Sequence, residues 1–133
     1  MTKDAMSNLE ICKMAFDMLV ERGCKPMLDE NEPSVACTVS GAELLIGEVF
    51  GNTISFEYRL DLGREASPEE KEAMQKALDE QDPVIFEALH IYGRDVELCT
   101  LLPTELIRDD VIEDFISAPD QKGGIVEFIK SMK

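Results

Sequence analysis

Two hydrophobic periods alternate along this chain. Between residues 8 and 23 apolar side chains return every three or four positions, at Leu9, Cys12, Phe16, Leu19 and Val20. That spacing predicts an amphipathic helix, capped by Ser7 or Asn8 and stopped at Arg22-Gly23. Met14 and Met18 widen its apolar stripe onto a second face. The period then falls to two. Residues 25–29 make a weak strand ending in the polar turn Asp29-Glu30-Asn31-Glu32-Pro33, and residues 34–40 place Val35, Cys37 and Val39 on one face. Beyond Gly41, the denser run ELLIGEVF over 43–50 predicts burial on both sides for part of its length. After Gly51-Asn52, residues 53–60 point Ile54, Phe56, Tyr58 and Leu60 inward and Ser55, Glu57 and Arg59 outward. Connections this short leave no room for crossover helices, so these strands form an antiparallel meander.

Ser67-Pro68-Glu69-Glu70 is the sharpest local signal in the chain. A serine cap, a proline in the first turn and a glutamate three residues on form a capping box. The helix it starts runs to about residue 82 with Ala73, Met74, Ala77 and Leu78 inward, and Pro83 stops it. Residues 84–102 then read as a hairpin with its turn at Gly93-Arg94-Asp95 and long arms. Helical spacing returns over 104–117, is broken by APDQKGG, and resumes over 125–132. The order is α-β-β-β-β-α-β-β-α-α, an α+β fold in which an antiparallel sheet, meander plus hairpin, packs against helices.

The length of 133 residues suits one domain, 1–133, with a real core. Charge changes the picture more. Thirteen Lys+Arg against 28 Asp+Glu leave a net charge of −15, which opposes binding to nucleic acid or anionic membrane and steers toward basic partners. No apolar run is long enough to span a bilayer, and the N-terminus carries no secretory pattern, so the expected location is the cytoplasm. Cys12, Cys24, Cys37 and Cys99 form no C-x-x-C pair and are read as reduced structural thiols.

Candidate chemistry is sparse. A zinc site needs three protein ligands, and one histidine among scattered cysteines does not supply them. Asp29-x-Asn31 opens like a calcium loop, but Pro33 takes the third ligand position. Asp109, Asp110, Glu113 and Asp114 read as a solvated helix face. No phosphate-loop pattern is present, and no cofactor is implied. His90 with Cys37 and Cys99 is the one constellation that neighbouring strands would bring together. It defines the enzyme alternative: a small-ligand pocket or a thiol activated by a base.

The pieces that carry a resemblance are Phe16–Gly23 leading into the strand and turn of residues 24–32, the strands over 34–41 and 54–60, the helix from Pro68 to Gln81, and the hairpin around Gly93. In that order, on an acidic chain, they resemble the type III secretion chaperone-like fold and, within it, the YbjN-like family of bacterial proteins. The resemblance implies a non-enzymatic domain, commonly dimeric, that binds segments of other proteins, and a regulatory role. The apolar content near the C-terminus agrees with an interaction module. Phe115, Ile116, Phe128, Ile129 and Met132 are the expected partner or dimer surface, if they are not core. The expected partner is thus a protein or a second copy.

Overall fold

The computed structural model describes residues 6–81 and 86–132. Ser7 opens the first helix, α1 (Asn8–Glu21), through a reciprocal capping box with Glu10. Gly23, at φ +82°, ends it. The Gly23 N–H donates to the Val20 carbonyl and the Cys24 N–H to the Leu19 carbonyl, the two bonds of a Schellman cap. Ile11, Cys12, Ala15 and Leu19 are its buried stripe. The expected stripe is therefore rotated: Leu9 and Phe16 flank it and Val20 faces solvent.

Strands β1 (Met27–Asp29), β2 (Ser34–Val39), β3 (Ala42–Phe50) and β4 (Thr53–Asp61) run as the expected antiparallel meander. Ser40 and Gly41 both take positive φ, 48° and 84°, which gives the β2–β3 hairpin the type I′ turn that matches strand twist. The capping box at Ser67 and Glu70 starts α2 (Pro68–Glu80). Then come β5 (Ala88–Tyr92) and β6 (Asp95–Pro103). The first arm of this hairpin is shorter than its pattern predicts, with Val84 and Ile85 lying outside the described residues. Phe86 leaves the strand pattern altogether and is buried in the core.

The sheet order is β1-β2-β3-β4-β6-β5, antiparallel throughout. β6 is thus inserted beside β4, and β1 and β5 form the edges. A 3-10 turn (Thr104–Leu106) leads to α3 (Asp109–Ser117), and a second (Ala118–Asp120) precedes α4 (Ile125–Lys130). None of the described helices is long and apolar enough to cross a membrane.

One face of the sheet is covered by helices. Val35, Cys37 and Val39, then Leu44 and Ile46, then Ile54, Phe56, Tyr58 and Leu60, and finally Val96 and Leu98 all lie under them. Phe56 stacks on Phe115 of α3 at 4.4 Å, and Phe86 meets both Phe115 and Tyr58 edge-on. The buried Tyr58 hydroxyl donates to the carbonyls of Phe115 and Ile116, at 2.6 and 3.3 Å. Its partners sit in the last turn of α3, where the Phe115 carbonyl also accepts from the Ala118 N–H, so one side chain both packs the core and supplements a helix end.

Candidate functional site

Among the described residues, no helix covers the opposite face of the sheet. Strand register places its residues in rows, because directly paired positions point to the same side. One row runs Met27, Ala36, Leu45, Glu57, Cys99 and Ala88 from edge to edge. The next runs Thr38, Glu43, Arg59, Glu97 and His90. Gly47, Ser55 and Leu101 form a third, and Phe50 faces Thr53 at the β3–β4 turn. Met27 is 75% exposed, Phe50 69%, Tyr92 60%, Leu101 49% and Leu45 42%.

The run ELLIGEVF is therefore covered on one side only. Leu44 and Ile46 are buried, whereas Leu45, Val49 and Phe50 meet solvent. The helices expected to cover both sides all pack on one, and the irregular register between Glu48 and Phe50 turns the end of β3 outward.

Between β1 and β4 the bare face dips into a depression of about 440 Å³, lined by Met27, Ala36, Thr38, Leu45, Glu57 and Arg59 among others. Its charges do not balance. Arg59 donates twice to Glu97 Oε1, at 2.6 and 3.1 Å. Glu57, in the adjacent row, has its carboxyl pushed up, first by partial burial and then by the neighbouring Glu97. Arg59 and Lys25 thus stand against Glu43, Glu57 and Glu97, and the surplus is a single negative charge.

The residues expected to form a thiol–imidazole site are divided by the sheet. Cys37 lies on the helix-covered face, while His90 and Cys99 lie on the bare one. His90 stacks on Tyr92, with ring centroids 6.1 Å apart. The Cys99 thiol is pushed up by burial and by Glu57, Glu97 and Glu87, the reverse of what activates a nucleophile. Burial likewise pushes Cys37 up, and Cys12, buried beside Glu48, rises to about 11. The Asp29 carboxylate accepts from the N–H groups of Asn31 and Glu32, so the calcium-like spacing is an Asx turn. Among the described residues, no three His, Cys, Asp or Glu side chains converge as metal ligands.

Of the expected C-terminal surface, Phe115, Ile116 and Ile129 are buried in the chain's own core. Phe128 is exposed, and Met132 is half-buried against that core. Helix α3 turns its apolar side onto β4, and α4 packs its own on α2.

The exposed apolar set instead comes from strands, at positions where period two alone does not say which side is covered. Asn8 is a second residue without a forewarning signal. Its side chain is buried, with Nδ2 donating to Glu48 at 2.7 Å and to the Gly51 carbonyl at 3.1 Å, and no described group donates to its Oδ1. It fastens the start of α1 to the β3–β4 turn.

Compared with family models, with curated proteins and with solved structures, the chain matches none.

Proposed function

We propose that this chain is a non-enzymatic interaction module that binds a partner polypeptide on the bare face of its sheet. The observation that carries this reading is a six-stranded sheet with helices on one side only, whose other side exposes Met27, Leu45, Phe50, Tyr92 and Leu101 around a surplus carboxylate. Apolar patches of this kind mark interaction surfaces. The chemistry of the partner follows from the charge. An extended or strand-like segment that alternates apolar and basic side chains would cover the leucines and bring a cation to Glu57. A second copy fits less well, because two such faces would bring Glu43, Glu57 and Glu97 against their own duplicates. The resemblance of the element order to type III secretion chaperone-like domains supports the same class of role. Cytoplasmic residence accords with four free cysteines.

Methyl NMR tests the proposal with a defined probe, a synthetic peptide of alternating lysine and valine. The Leu45 and Leu101 methyls are expected to shift on titration while those of Leu44 and Leu98, on the covered face, stay in place. The same peptide with glutamate for lysine is expected to leave all four unmoved. Shifts confined to the helix side, or equal shifts with both peptides, would overturn the reading.

A further inference from the structure

Cys24 and Cys37 are far apart as elements go, one after a helix and one within a strand, yet two separate constraints bring them together. The Schellman cap folds Cys24 back over the end of α1 through its N–H bond to Leu19, 3.0 Å long. The β1–β2 register, Met27 opposite Ala36, then brings the segment before Met27 toward the end of β2, where Lys25, Cys37 and Thr38 line one depression. The Cys37 thiol donates to the Thr38 carbonyl at 3.5 Å, and Cys24 is close enough to it to push its titration up. The other two cysteines are elsewhere. Cys12 lies in the first half of α1, about 14 Å along the helix from its last residue, Glu21, at 1.5 Å per residue. Cys99 is on the far face of the sheet.

We propose that Cys24 and Cys37 form a dithiol pair that a low-molecular-weight disulfide, such as oxidised glutathione, converts to an intramolecular disulfide. Cys24 is half-exposed and Cys37 buried, so Cys24 reacts first. Its thiolate attacks one sulfur of the reagent, the reagent's S–S bond breaks, and one glutathione leaves as a thiolate that takes up the released proton. The Cys37 thiol then loses its proton to solvent and attacks the Cys24 sulfur of the mixed disulfide. This expels a second glutathione, which takes up that proton. Two protein thiols are oxidised, and one disulfide reagent is reduced to two thiols. The bond would staple the end of α1 to β2, holding β1 between them. Because Cys37 and Lys25 also reach the depression on the bare face, the modification stands at the margin of the proposed binding surface without depending on that proposal.

The full-length protein, incubated with oxidised glutathione at mildly alkaline pH, tests it. The four free thiols are expected to fall to two. Because Glu30 and Glu32 separate the pair in sequence, a glutamyl endopeptidase applied without reductant should release the fragments bearing Cys24 and Cys37 as one species, two hydrogens lighter than their sum. Cys37→Ser should stop the reaction at a glutathione adduct on Cys24, and the half-exposed Cys24→Ser should leave Cys37 unmodified with its fold intact. The oxidised wild type is expected to melt at a higher temperature than the reduced form. A wild type that retains all four thiols, that stops at the glutathione adduct, or that joins Cys24 to Cys12 or Cys99 would overturn the assignment.

Discussion

Alternate residues of one strand live in different solvents here. Along β4, Ile54, Phe56, Tyr58 and Leu60 are sealed beneath the helices, while Ser55, Glu57 and Arg59 stand on the bare face. The two sets have the same backbone, the same ladder and the same neighbours in sequence. What separates them is cover. Stability belongs to the even positions, where apolar area is removed from water and Tyr58 supplements the end of α3. The odd positions carry little of that burial, and their unbalanced charge is tolerable because they remain partly hydrated.

Substitutions should respect that division, and the largest effect tests it most directly. Phe56→Ala removes a ring stacked on Phe115 and is expected to cost about 3–5 kcal/mol in urea unfolding. Leu45→Ala, on the neighbouring strand but the bare face, should stay within about 0.5 kcal/mol. Comparable losses at the two sites would mean that the second face is covered after all.

Tyr58→Phe keeps the ring and deletes only the hydroxyl. It removes a donor from the Phe115 and Ile116 carbonyls, the first of which keeps the Ala118 N–H, for an expected loss of about 1–3 kcal/mol in the same measurement.

The bare face should respond with the opposite sign. Glu57 has a carboxyl raised above its ordinary range, so its ionisation is harder in the folded state than in the unfolded one. That penalty is absent below the ordinary value near 4.3 and develops as pH rises through the raised folded value. Glu57→Gln should therefore be neutral or stabilising at pH 7, by no more than about 0.5 kcal/mol for so exposed a group, and the gain should vanish in acid.

The smallest effect lies off both faces. Arg64 holds the Glu70 carboxylate with two 2.6 Å bonds and, with the Ser67 N–H, lowers it to about 2. The stability this pair contributes is present above the unfolded carboxylate value near 4.3 and is lost as pH falls toward 2. Arg64→Ala should accordingly flatten the acid limb of a stability-versus-pH curve in that window, leaving the neutral-pH difference between Phe56→Ala and Leu45→Ala untouched.

Much of the architecture was legible because it is local. Period two marked β2 and β4, the serine–glutamate box marked α2, and the element order follows from these. The placement of β6 beside β4 was not legible, since pairing across α2 leaves no trace in short-range spacing. The site was less legible still. ELLIGEVF looks the same whether a second helical layer exists or not, and only the packing of all the helices on one side shows that Leu45 is bare. The C-terminal apolar residues carried the opposite ambiguity: Phe115, Ile116 and Ile129 have the spacing of an exposed stripe and the burial of a core. The thiol–imidazole grouping of Cys37, His90 and Cys99 rested on proximity of strands without regard to face, and alternation across the sheet separates it.

The insertion of β6 also has a kinetic consequence. Ladder β4–β6 joins Asp61 to Asp95 and Thr53 to Pro103, so its closure must span the whole segment that holds α2 and β5. The β2–β3–β4 meander and the β5–β6 hairpin are each local and form early, whereas their union carries the loop-closure entropy and is expected to be the slow step. Until then β4, the central strand of the finished sheet, is an unpaired edge with one face of large apolar side chains. That transient edge is where this protein is most exposed to mispairing with another chain during its synthesis.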